Sequence, residues 1–169
     1  MPLSFLIRPV TRADLPALEW EGAYTHFRNL FAAAFRDSQQ GRNVLWVAVS
    51  REEGRLIGQA FVQLTSLVRP QIADGVTRAY VFSVRVRPEL RSRGVGTQLM
   101  KTVEADLAQR GMQFVTLNVA VDNPAGYRFY RRLGYHKVGD EPGQWSYIDH
   151  RGERCHVNEP AWRLEKALR

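Results

Sequence analysis

Between a β-rich run and a helical run stands Arg91-Ser92-Arg93-Gly94-Val95-Gly96-Thr97, a short stretch that combines two arginines with two glycines. Upstream, Ala79-Tyr80-Val81-Phe82-Ser83-Val84-Arg85-Val86 is β-branched and aromatic, and Pro88 closes it because proline has no N–H to give a ladder. Downstream, Val95, Leu99, Met100, Val103 and Leu107 recur at helical spacing, and Gly111 supplies the stop. The chain therefore passes through a glycine-containing loop directly into a helix N-terminus. Unpaired N–H groups converge at such a terminus, and the macrodipole favours an anion there. Glycine lets the backbone approach a ligand closely, since no Cβ intervenes. These are the makings of a diphosphate cradle; as a basic turn alone, the same residues would merely permit a tight strand-to-helix connection. Two nucleotide-binding alternatives fail on particular residues. A Walker loop ends in Gly-Lys-Ser/Thr, which this chain lacks. A dinucleotide fingerprint needs a small residue where Leu99 stands and an acidic residue at the end of the next strand, where Asn118 lies.

A second constellation follows in Asn123-Pro124-Ala125-Gly126-Tyr127-Arg128-Phe129-Tyr130-Arg131-Arg132-Leu133-Gly134-Tyr135. Asn123 is a helix cap with Pro124 at the first helical position, and Gly134 ends the helix. In these two segments the chain resembles the GCN5-related N-acetyltransferases. Arg91, Gly94 and Gly96 match that family's Arg/Gln-x-x-Gly-x-Gly/Ala, and Val86-Arg87-Pro88-Glu89 is similar to its preceding strand end. Asn123, Tyr130 and Gly134 match Asn-x-x-Ala-x-x-x-Tyr-x-x-x-Gly-Phe, with Tyr135 a conservative variant and Gly126 in place of alanine. The opening Leu6-Ile7-Arg8-Pro9-Val10-Thr11, followed by Asp14-Leu15, is similar to the family's first strand and helix.

The resemblance implies an α/β fold in which a mixed, mostly antiparallel central sheet splays open and carries helices on both faces, as a single N-acetyltransferase domain over residues 1–169. It implies acetyl-CoA as acyl donor, with no metal, and direct attack by a primary amine of an unidentified small molecule or peptide. Arg91, Arg93, Gly94, Val95, Gly96 and Thr97 would surround the diphosphate. Backbone at Val84 and Val86 would pair with the pantetheine arm, Asn123 would contact it, and the Val86 N–H would face the developing oxyanion. Tyr130 would be the general acid for the departing thiolate; its bland counterpart is a packing aromatic beside Tyr127 and Phe129. Many relatives carry an acidic residue on the strand occupied here by Phe82-Ser83-Val84, where this chain has Ser83. A base is then sought among Glu21, Asp149, His150, His156 and Glu159. Without one, a lysine-type amine costs about 4–5 kcal/mol to deprotonate at neutrality and an α-amine only about 1–2 kcal/mol. A catalytically silent acyl-CoA-binding sensor or interaction module is the alternative function.

Composition bounds the rest. A chain of 169 residues with 44% hydrophobic residues can bury a real core and is no disordered tail. No apolar stretch approaches a membrane span, and no long apolar signal core opens the chain, so the expected location is cytoplasmic with no membrane partner. Cys155 is the only cysteine, which excludes an internal disulfide. The net charge of +7 asks for a polyanion. No Lys/Arg block of nucleic-acid type occurs. Arg85, Arg87, Arg91 and Arg93, then Arg128, Arg131 and Arg132, gather instead near the two motifs, where coenzyme A would account for them. A homodimer is the commonest assembly in general.

The positioning elements are read from periodicity. Leu3–Arg8 is a first strand, and Pro16 favours Asp14 over Thr11 as the next cap. Phe27, Leu30, Phe31, Ala34 and Phe35 form a helical apolar stripe ended by Gly41. Val44–Ser50 and Leu56–Leu67 read as a hairpin, and Ser66–Thr77 as a loop that borders the acceptor site or merely connects. Strand Arg78–Val86 and helix Gly94–Arg110 flank the cradle. Phe114–Val121 alternates as a strand. Trp145–Ile148 and Ala161–Lys166 resemble closing strands, with a turn at Asp149-His150-Arg151-Gly152-Glu153.

Overall fold

A computed structural model describes residues 2–169; Met1, the first residue of the expected domain, lies outside the described residues. Seven strands form one mixed sheet in the order β1-β2-β3-β4-β5-β9-β6. They are β1 (Phe5–Pro9), β2 (Asn43–Ser50), β3 (Leu56–Gln63), β4 (Arg78–Val86), β5 (Phe114–Ala120), β6 (His136–Glu141) and β9 (Ala161–Ala167). Only β4 and β5 pair in parallel; the other neighbours are antiparallel. Strands β7 (Gln144–Ile148) and β8 (Arg154–Asn158) form a separate hairpin around the expected turn.

Helices cover both faces. On one face lie α2 (Val95–Gln109) and α3 (Pro124–Arg132). Val95, Leu99, Met100, Val103 and Leu107 of α2 are buried there against Ala60, Val62, Ala79, Val81, Val115 and Leu117 of the sheet. Burying each side chain of this size contributes about 1.5–3 kcal/mol. On the other face, α1 (Arg28–Gln39) sets Phe31, Ala34 and Phe35 against Leu45, Val47 and Phe61. Leu30, placed on that stripe by spacing, is 37% exposed.

Three sequence expectations change. The segment after β1 is a 3-10 helix, Arg12–Gly22, capped by Thr11 and not by Asp14. Asp14 serves the cap from inside: its carboxylate accepts the Thr11 N–H at 2.7 Å and is held by the Arg8 guanidinium at 2.6 and 2.9 Å. Strand β3 stops at Gln63, because the following loop folds back through a Thr65–Asp74 bridge and buries Ile72 and Ala73. Strands β6 and β8 alternate polar side chains with little apolar signal, and burial along them is correspondingly slight.

Asp74 sets up the start of β4. Its carboxylate accepts N–H groups from Val76 (2.9 Å), Thr77 (2.7 Å) and Arg78 (2.9 Å), as well as the Thr77 hydroxyl. These bonds, the Thr77 hydroxyl foremost, hold its pKa well below the usual carboxylate range. A lowered folded-state pKa contributes stability above the unfolded value, lost as pH falls below it. Asp74→Ala should therefore cost about 1–2 kcal/mol in urea unfolding at pH 7, and the difference from wild type should shrink as pH drops below about 4. A deficit equal at pH 7 and pH 2 would show that the charge is not what matters.

Candidate active site

The parallel pairing of β4 with β5 runs from Arg78–Phe114 to Val81–Leu117 and stops. Beyond it β4 continues to Val86 beside β3, while β5 continues to Ala120 beside β9. The sheet is therefore split at its centre. The cause lies in β4. Between Phe82 and Arg85 it spends one residue more than β3 spends between Phe61 and Gln59, and Ser83 takes φ +52°. That is a β-bulge with a non-glycine residue in left-handed backbone, which bends the strand.

Past the bulge the Arg87 N–H donates to the Ile57 carbonyl at 2.9 Å. Alternation then turns the backbone groups of Arg85 toward β3 and those of Val84 and Val86 toward the gap. Consistent with this, the Arg91 Nε–H reaches the Val86 carbonyl at 3.4 Å. Both valine side chains pack on the α2 face.

At the end of the gap a short 3-10 turn, Pro88–Leu90, leads into the loop. Ser92 (φ +61°) and Gly94 (φ +88°) both adopt left-handed backbone. Gly94 is the N-cap of α2 and offers no side chain to the first turn. The earliest regular helical bond in this turn runs from the Gln98 N–H to the Gly94 carbonyl at 3.0 Å. The N–H groups of Val95, Gly96 and Thr97 thus precede any intrahelical acceptor. A Cβ at Gly96 would stand 3.2 Å from the Phe129 ring and 3.7 Å from the Val86 side chain. The first turn of α2, the middle of α3 and the end of β4 meet at this glycine.

Helix α3 carries the other matched residues. The Asn123 carboxamide oxygen accepts the Gly126 N–H at 3.0 Å, so this side chain caps α3. A Cβ at Gly126 would come within 2.5 Å of the Asn123 amide, which ties that cap geometry to the glycine found in place of alanine. Tyr130 is 9% exposed and meets the rings of Phe129 and Tyr135 at 5.0 and 5.8 Å. Burial, with a smaller contribution from the nearby Tyr80 phenol, pushes its pKa above the usual tyrosine value. Tyr130 is consequently a protonated phenol throughout the neutral range.

The opposite side of the split is lined differently. The Asn118 amide of β5 donates to the Tyr80 hydroxyl of β4 at 3.2 Å. Glu141, at the end of β6, accepts from Arg69 at 2.7 Å and also from Arg163. Those guanidinium groups, Arg69 first, hold its carboxyl below the usual range and make it a weak base. Arg69 ties the loop after β3 to the end of β6. The β7–β8 hairpin folds back onto α1: the Asn29 amide of α1 donates to the Asp149 carbonyl at 2.7 Å, and Phe27 meets Tyr147 at 5.1 Å and Trp145 at 6.4 Å.

The base candidates are otherwise engaged or exposed. Glu21 pairs with Arg87 at 2.9 and 3.1 Å, and the Asp149 carboxylate accepts the N–H groups of Arg151 and Glu153 at 2.9 Å each. His150, His156 and Glu159 are exposed. The arginine cluster of the sequence also divides. Arg91 and Arg93 sit in the loop, but Arg87 is buried on the α1 side, donating to the Leu56 carbonyl at 2.7 Å and lying over Trp20. Tyr80, Glu141 and the bulge at Ser83 escaped sequence reasoning, because nothing in residue type or spacing marks a bulge that lacks glycine.

A family model described as the acetyltransferase (GNAT) family matches residues 11–135. The chain therefore belongs to that family. It is 30% identical over 88 residues to N-alpha-acetyltransferase 30 of Schizosaccharomyces pombe, a stretch covering 52% of this chain and 55% of that protein. It is 37% identical over 57 residues to an uncharacterized N-acetyltransferase of Methanocaldococcus jannaschii, covering 34% of this chain and 25% of that one. The matches thus span about a quarter to about half of these relatives' lengths. The crystal structure of Arabidopsis thaliana NAA60 in complex with acetyl-CoA superposes with a TM-score of 0.69 at 22% identity, covering 98% of this chain and 99% of that one, which establishes likeness of fold.

Proposed function

We propose that the protein is an acetyl-CoA-dependent N-acetyltransferase that acts on a primary amine of a small molecule or peptide. The observation that carries this is the split between β4 and β5, with the first turn of α2 at its end and Tyr130 on the adjoining helix. The donor set suits coenzyme A. Strand backbone turned into the gap at Val84 and Val86 offers strand-like pairing to an extended amide-bearing arm. The N–H groups of Val95, Gly96 and Thr97, with Gly94 admitting close approach and Arg91 and Arg93 beside them, suit a diphosphate. Asn123 already uses its oxygen as a cap, so its part toward the arm would fall to its amide hydrogens.

When bound, acetyl-CoA supplies a thioester: the C–N bond to the acceptor forms, the C–S bond breaks, and the sulfur leaves as a thiolate. The chain's residues then have three tasks. Backbone N–H at Val86 would donate toward negative charge developing on the carbonyl oxygen. Tyr130 would hold a proton on its hydroxyl, give it to the departing sulfur and regain one from solvent. The aromatic hairpin and the Tyr80–Asn118 side exclude water around the incoming amine. The amine's surplus proton passes to solvent, since Glu21, Asp149 and Glu141 are each committed to partners.

The testing experiment follows thiol release from acetyl-CoA across a library of primary amines. Amine-dependent release well above background hydrolysis is the expected result. Tight coenzyme A binding with no release for any amine would replace this assignment with the silent acyl-CoA-binding module.

A further inference from the structure

The bulge at Ser83 puts Arg85 on the face opposite Val84 and Val86, directly across from Gln59 of β3. Its guanidinium lies 3.9 Å over the Tyr24 ring, with Phe27 and Phe31 at 5.5 and 5.9 Å. Nη1 is buried, and among the described residues no acceptor takes its hydrogens. Gln59 is fully buried, and both polar atoms of its amide are likewise without partners. The two neighbouring acids on the 3-10 segment are spent elsewhere, Glu19 on Arg28 and Glu21 on Arg87.

Arg85 is half-buried as a whole, and a buried guanidinium nitrogen with no acceptor is unfavourable in a folded protein. Burial accordingly depresses the Arg85 pKa, although a guanidinium stays charged at any working pH. Aromatic rings cover the face of the guanidinium, so an acceptor would have to meet the half-buried side chain in its own plane. That is carboxylate geometry: two oxygens against two parallel N–H groups. A phosphate dianion ordinarily draws a second cation, and the adjacent Arg87 is already neutralised by Glu21. The missing anion does not belong to the donor, whose cradle lies with Val84, Val86 and α2 on the other face.

Resting on the acyl-transfer assignment above, we propose that Arg85 anchors a carboxylate carried by the amine acceptor, so that the substrates are amino acids or peptides with a free acid near the reacting nitrogen.

The test uses the full-length protein with matched acceptors: amino acids and dipeptides against their C-terminal amides, and phosphoethanolamine against ethanolamine. Thiol release gives kcat/KM, and calorimetric titration into protein saturated with coenzyme A gives binding separately. Wild type should prefer each carboxylate over its amide by about tenfold or more. Arg85→Gln should bring that ratio close to one while coenzyme A affinity and Tm hold, and Arg85→Lys should restore part of it. Equal use of acid and amide by wild type, equal loss on both in Arg85→Gln, a preference for the phosphate, or no Arg85-dependent carboxylate binding would each overturn the proposal. Arg85-dependent carboxylate binding without any thiol release would overturn the transferase assignment alone.

Discussion

Tyr130→Phe should lower the turnover number by about 10²–10³-fold while the dissociation constant for coenzyme A changes less than about twofold. The substitution deletes one oxygen and keeps the ring that packs against Phe129 and Tyr135. Among the described residues no hydrogen bond engages that hydroxyl, so its removal leaves no orphaned partner and the fold should persist. The departing sulfur must then collect its proton from water. Because burial raises the Tyr130 pKa, the phenol stays protonated well past neutrality. Any alkaline decline of wild-type activity below about pH 10 therefore reports another group. Stopped-flow turnover beside calorimetric binding makes the measurement, and an unaltered rate would remove Tyr130 from the chemistry.

Gly96→Glu should weaken coenzyme A binding by about a hundredfold or more, roughly 2.7 kcal/mol. Two effects act in the same direction. A side chain here begins 3.2 Å from the Phe129 ring, so α2 and α3 must give way. A carboxylate at the first turn of α2 also takes the anion position for itself and repels a diphosphate. Gly96→Ala separates the two, since it adds the Cβ without the charge and should show the smaller loss. Calorimetry at two ionic strengths reads both, because the charge component weakens with salt. Unchanged affinity in Gly96→Glu would mean that the anion site lies elsewhere.

Much of this fold is local in origin and therefore legible. The apolar spacing of α2, the stop at Gly111, the Asn123–Pro124 start of α3 and the alternation of β5 all express short-range backbone preferences. Strands β6 and β8 escaped notice because their pairing partners, β9 and β7, and not their own polar sequences, make them strands. The cap after β1 moved to Thr11 because Arg8, a residue of the preceding strand, holds Asp14 in the capping position.

The turn into α2 is dictated by consecutive residues. Gly94, Gly96 and the helix that follows are neighbours in the chain, so the backbone geometry they require is written in consecutive residues. Helix α3 and its Asn123 cap are legible for the same reason. Which way β4 points its side chains was decided only in three dimensions. Unbroken alternation would send Arg85 to the same face as Ala79 and Val81, toward α2. One extra residue at Ser83 reverses it, leaving the valines toward α2 and Arg85 under Tyr24. That reversal depends on how β4 registers against β3, a long-range pairing that no run of adjacent residues records. The proposed donor side of the site is thus a property of the sequence, and the proposed acceptor side a property of the sheet.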